Sequence, residues 1–94
     1  MPRPKLRRRV RFNPKITYFK PAGIPLKQLK EVIINHDELE ALRLKNNLNL
    51  DQKEVAKRMN VSQPTLHRIL LSAKEKITEA LVKGKAIKIE KRGE

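Results

Sequence analysis

The chain contains no cysteine and no tryptophan. Without thiols there is no disulfide scaffold, zinc ribbon or thiol nucleophile, and a reducing cytoplasm is the simplest location. Aromatics are scarce: Phe12, Tyr18 and Phe19 are the three, all within the first nineteen residues, so any later core must be aliphatic. No apolar run exceeds three residues, far short of the eighteen or so that mark a membrane span. The basic N-terminus is not followed by an apolar segment, which argues against a signal peptide and for a soluble protein with no membrane partner. Acids are also in short supply, ten against 23 Lys and Arg, leaving a net charge of +13. That imbalance favours a polyanion as partner, nucleic acid before an anionic membrane.

What is present fits one small domain with an arm. At 94 residues, roughly 60% of the unfolded surface can be buried, enough for a three- or four-helix unit but not for a walled enzyme cleft. Charge is uneven along the chain. Residues 1–34 hold ten basic side chains and one acid, Glu31, for +9, whereas residues 35–61 hold five of each and cancel. We divide the chain into a basic N-terminal arm (1–34), a helical domain (35–84) and a C-terminal tail or short strand (85–94). Pro2 and Pro4 discourage helix at the start. Arg9 to Phe12 alternates polar and apolar, Ile16 to Phe19 is rich in strand formers, and Ala86 to Ile89 alternates again after Gly84. The expected class is mainly α, with short β-strands at both ends, the N-terminal ones pairing with 86–89. Residues 25–34 stay open between a short helix after Pro25 and an extended segment at Val32–Ile34.

From residue 35 the apolar spacing turns helical. Asn35 with Glu38, or Asp37 with Glu40, can form a capping box, and Leu39 and Leu42 recur at i, i+3. Asn46-Asn47 predicts the end of this helix. Asp51 with Glu54 opens a second, with Val55, Ala56 and Met59 on one face, and Asn60 can stop it in the left-handed conformation. Ser62 is an N-cap and Pro64 sits in the first turn of a third helix, Gln63 to about Lys83, that Gly84 ends. Its predicted inward stripe is Leu66, Ile69, Leu70, Ala73, Ile77, Ala80 and Leu81.

A short helix and a long one joined at Asn60-Val61-Ser62 match the helix-turn-helix, with an ordinary helical hairpin as the alternative. Ala56 must be small for a close crossing, and Val55, Met59, Val61, Leu66 and Ile69 fall where the junction is buried. The stretch Asp51 to Leu70 resembles the helix-turn-helix of region four of bacterial sigma factors. The whole chain is similar to a small family of predicted DNA-binding proteins of archaea and bacteria. The residues carrying this likeness are Met1-Pro2-Arg3-Pro4, Thr17-Tyr18-Phe19-Lys20-Pro21, Gly23-Ile24-Pro25-Leu26 and Asp37-Glu38-Leu39-Glu40-Ala41-Leu42-Arg43-Leu44. The resemblance implies DNA binding. Some relatives carry a further domain resembling dinitrogenase cofactor-binding proteins, for which these 94 residues leave no room. Two positions depart from the pattern: Asn60 replaces the usual glycine, and Pro64 is atypical in a recognition helix.

In such a motif the start of the second helix enters the major groove. The outward positions are Gln63, Pro64, Thr65, His67 and Arg68, and Ser62, Gln63, Thr65, His67 and Arg68 are the expected DNA contacts there. Gln63 suits adenine, Arg68 suits guanine, and Thr65 suits a thymine methyl or a phosphate. Ser62 caps the helix and offers its first N–H groups to a phosphate. Arg3, Lys5, Arg7, Arg8, Arg9 and Arg11 would follow the backbone or a minor groove. The three aromatics either pin the arm to the helical body, which we favour, or stack on unpaired bases. Glu38, Glu40 and Glu54 read as capping or helix-face carboxylates. Nothing arranges them with His36 or His67 into a metal or acid–base site, so neither an enzyme nor a cofactor is expected. Leu71, Lys74, Glu75 and Thr78 face away from the stripe, and an exposed leucine there points to a homodimer. The sequence thus predicts a transcription regulator on duplex DNA. An RNA- or ribosome-associated basic protein is the runner-up, and an adaptor touching RNA polymerase is a third reading.

Overall fold

Local hydrogen bonds set the helix boundaries in the computed structural model, which describes Val10 and residues 12–90. Helix α1 spans His36–Leu42. Its N-cap is Asn35, whose side chain accepts the Glu38 N–H at 2.9 Å while Glu38 accepts the Asn35 N–H at 2.9 Å. Of the two capping boxes the spacing allowed, this is the one adopted. A wider π-helical turn, Arg43–Asn47, continues α1. Helix α2 spans Gln52–Met59, capped by Asp51, which accepts the Glu54 N–H at 2.8 Å. Helix α3 spans Gln63–Lys83 between Ser62 and Gly84. Gly84 stands at φ 68°, the left-handed conformation that glycine enters without a Cβ penalty.

Among the described residues, three short strands accompany the helices: β1, Tyr18–Phe19; β2, Glu31–Ile34; and β3, Ala86–Ile89. Residues 25–34, open in the sequence, divide into a 3-10 turn at Leu26–Gln28 and then β2. The sheet order is β1-β3-β2, antiparallel with Tyr18 opposite Lys88, and parallel with Val32 opposite Ile87. A parallel pair requires a crossover. Here the crossover is the whole helical block, so β2 and β3 fasten its two ends together. Of the expected N-terminal strand segments, Tyr18–Phe19 is a strand, whereas Val10 and Phe12 are not; Arg9 and Arg11 lie outside the described residues.

The main core joins Ala41, Leu44, Val55, Ala56, Met59, Leu66 and Leu70, with Leu42, Leu50, Val61 and Ile69 packed at its margin. Each fully buried leucine in it contributes about 1.5–3 kcal/mol. Buried Ile34, Ala73, Ala80, Ala86 and Ile89 lie on β2, α3 and β3, which contact one another.

Two expectations need correction. Leu81 is not part of the inward stripe: it is 74% exposed. The stripe turns about 100° per residue, and Leu81 falls beyond its edge while Ala80 takes the buried place. In α1 the buried positions are Glu38, Glu40 and Ala41 rather than Leu39 and Leu42, which are half-buried. Among the described residues no helix is long and apolar enough to cross a membrane.

Candidate nucleic-acid interface

The sharp reversal between α2 and α3 rests on three residues. Asn60 adopts φ 60°, ψ 46°, and its N–H donates to the Ala56 and Lys57 carbonyls. Val61 N–H then donates to the Ala56 carbonyl at 3.0 Å. Asn is among the few side chains that accept this conformation, which is why it can stand at the end of α2. Ser62 returns to an extended conformation, and its Oγ accepts the Thr65 N–H at 3.2 Å. Pro64 occupies the first turn, where no intrahelical donor is needed. Beneath the turn, Ala56, Met59 and Leu66 are buried, and the small Ala56 lets the two helices approach closely.

This geometry brings Ser62, Gln63, Thr65, His67 and Arg68 together at the start of α3. Gln63, His67 and Arg68 are exposed, as is Ser62, while Thr65 is half-buried. The Ser62 hydroxyl donates to Thr65 Oγ1 at 2.9 Å, and Arg68 Nη2 donates to the same oxygen at 3.3 Å. Thr65 is therefore a hub that orients its neighbours, a role its side chain alone did not reveal. Thr65, Arg68, Ile69 and Ser72 form one wall of a polar groove, and Asn35, Asp37 and Glu38 form the other. The first N–H groups of the 21-residue α3 point out of the same end and add partial positive charge. The residues expected on the arm, Arg3, Lys5, Arg7, Arg8, Arg9 and Arg11, lie outside the described residues.

Sequence reasoning passed over several groups around this site. Glu38, 3% exposed, is more than a cap. It accepts from Lys76 Nζ at 2.9 Å and from the Ser72 hydroxyl, and Lys76 also donates to the Ile33 carbonyl at 2.8 Å. One carboxylate thus ties α1, β2 and α3 and fixes how the start of α3 is presented. Its partners lie 34 and 38 residues away, beyond any local pattern. Glu40, 2% exposed, makes a bidentate pair with Arg43 at 2.9 and 3.0 Å. That hydrogen bond, aided by the Glu40 charge and opposed by desolvation, raises the Arg43 pKa above its usual value. The Arg43 guanidinium also lies 5.5 Å from the Phe12 ring centroid, so Phe12 is held against α1, as favoured for the aromatics. Tyr18 and Phe19 are held through the β1–β3 ladder, and all three rings keep exposed faces, at 38% and 53% against 40% for Phe12. Lys57 and Arg58, exposed in the last turn of α2, are further cations whose signal was their place just before the turn.

The described residues define a small, mainly helical protein whose three helices cross over between two strands of a three-stranded sheet. The chain belongs to the family described as protein of unknown function DUF134, which it matches over residues 1–94. It is 56% identical over 90 residues to a UPF0251 protein of Moorella thermoacetica, covering 96% of this chain and 60% of that one. Identity is 57% to UPF0251 protein TTE1845 of Caldanaerobacter subterraneus and 53% to UPF0251 protein DET0218 of Dehalococcoides mccartyi. Each of these matches covers 96% of this chain, and they span 76% and 77% of those proteins. The chain therefore spans about three fifths of the Moorella protein and about three quarters of the other two. No solved structure matches it.

Proposed function

We propose that this chain binds duplex DNA sequence-specifically and acts as a transcription regulator, with α2 and α3 forming a helix-turn-helix. The observation that carries this reading is the exposed set Ser62, Gln63, His67 and Arg68, gathered around Thr65 where a left-handed Asn60 ends α2 and Ser62 opens a long helix. In this docking mode α2 crosses the phosphate backbone and the start of α3 enters the major groove. Gln63 pairs with adenine and Arg68 with guanine, each contact contributing about 1–3 kcal/mol of discrimination. The Ser62-capped helix end and the cations of α2 meet phosphates, which sets register without reading sequence. The six cations among residues 1–11 supply affinity that falls steeply with salt. Regulation follows from occupancy of a site and requires no chemistry.

Selection from random duplexes, followed by anisotropy across a salt series beside single-stranded RNA of equal length, tests the reading. A sequence motif should emerge that survives near-physiological salt, and Arg68→Ala should relax preference at one position. No preferred duplex, with tighter RNA binding throughout, would overturn it. That outcome favours the second reading, an RNA- or ribosome-associated protein. Its support is the exposed pair Tyr18 and Phe19, with Lys88 Nζ 5.9 Å from the Tyr18 centroid. Tyr18→Ala would then weaken binding while Arg68→Ala would not.

A further inference from the structure

At the far end of α3 an apolar groove lies open. Gly84 stops the helix, Lys85 N–H donates to the Ala80 carbonyl at 2.9 Å, and the chain turns back as β3. Phe19 stands opposite Ile87 across the β1–β3 ladder, so both side chains share one face of the sheet. With Pro21, Ala80 and Leu81 they line a groove of about 250 Å³. Ala80 is buried at its base, and Phe19 and Leu81 rise from its rim. Large apolar side chains gathered this way at one pole mark an interaction surface.

The charge around the groove says what covers it. Its other lining residues are Lys20, Lys85 and Gly84, with no Asp or Glu among the described residues that line it. Lys20 donates to the Ile24 carbonyl at 2.8 Å, which leaves its charge uncompensated by that contact. Lys85 pairs with Glu79, but Lys83 lies 3.6 Å from the same carboxylate, so two ammonium groups share one anion. A second copy of this chain would bring another +13 against these lysines. We infer that the groove formed by Phe19, Ala80, Leu81 and Ile87 docks an acidic amphipathic segment of a partner protein. A Leu, Ile or Phe anchor enters the groove, and flanking Asp or Glu meet Lys20 and Lys85. Leu81 is thirteen residues beyond Arg68, about 20 Å along the helix, so this partner and a ligand at the start of α3 bind together. The docking does not depend on what α3 reads at its other end.

The test is selection from a displayed library of random twelve-residue peptides on the full chain, counter-selected on Phe19→Ser/Leu81→Ser. This double variant keeps every charge, so peptides attracted merely to the basic arm are discarded. The expected peptides pair an apolar anchor with acids and lose about tenfold or more in affinity to the double variant. They should fail when their acids become lysines. Should the variant not fold, methyl shifts of Ala80, Leu81 and Ile87 on the unaltered chain report the same contact. Four results overturn the proposal: no enrichment, enrichment of neutral or basic peptides, a dimer in sedimentation that the double variant loses, or vesicles of phosphatidylcholine and phosphatidylglycerol that bind the chain through this groove. Duplex affinity measured on Leu81→Ser alone should equal that of the parent whether or not α3 reads sequence.

Discussion

Replacing Glu38 with alanine is expected to cost about 3 kcal/mol of unfolding free energy, working from two losses. The Glu38 side of the capping box contributes about 1 kcal/mol, the usual worth of a cap. The bonds from Lys76 and Ser72 to a charged acceptor contribute about 1.5–3 kcal/mol. Breaking a fully buried ion pair would cost about 3–5 kcal/mol, but here the pair is the same Lys76 contact and is not added again. The lower end applies because Lys76 keeps 35% of its side chain in solvent and can rehydrate. In a chain of this size the loss lowers the melting temperature by roughly 10–20 °C. Urea titration followed by far-UV circular dichroism measures it. Glu38→Gln keeps an acceptor for the Asn35 N–H but loses the charge, and should cost about half as much. A double-mutant cycle with Lys76→Met should return a coupling of about 1 kcal/mol or more. A Glu38→Ala chain within 1 kcal/mol of the parent would refute the reasoning, as would Gln being as damaging as Ala.

Two further predictions follow from other parts of the fold. Asn60→Ala should cost about 1–2 kcal/mol, because alanine pays for the left-handed conformation. Asn60→Gly should cost far less and keep the turn, and equal stability of the Ala and Asn chains would contradict this account. The Lys85 hydrogen bond, with the charges of Lys83 and Lys85, holds the Glu79 carboxyl below the ordinary glutamate range against an opposing desolvation. A lowered carboxyl pKa stabilises the fold at pH values above the unfolded glutamate pKa, and that gain disappears as pH falls through the folded value. Carboxyl-carbon NMR titration should show the low Glu79 pKa and its upward return in Lys85→Ala. An unchanged value in that variant would assign the shift to another cause.

The helical punctuation was legible because each signal acts within a few residues. Asp51 caps Glu54, Ser62 caps Thr65, and Gly84 and Asn60 enter the left-handed region, all through contacts one to four residues long. The candidate site inherits that legibility: once Asn60 and Ser62 define where α3 begins, helical periodicity gathers Gln63, Thr65, His67 and Arg68 at its end. Thr65 as hub was not legible, since the reach of Arg68 to its hydroxyl depends on rotamers rather than spacing.

Tertiary structure decided the rest. Val32 to Ile34 could have been helix or strand, and partnership with β3, more than fifty residues away, made it a strand. Glu38 and Glu40 read as capping or helix-face carboxylates; packing also buried them, and their cations made burial tolerable. Leu81 belonged to the core by helical spacing, yet Ala80 took the buried place and left it outside. Caps and turns are encoded by residues adjacent in sequence, whereas burial and sheet order depend on which distant surfaces meet. Neighbouring residues alone thus fix where this chain starts and stops its helices. The meeting of α1, α3 and β3 determined which side chains remain for a partner.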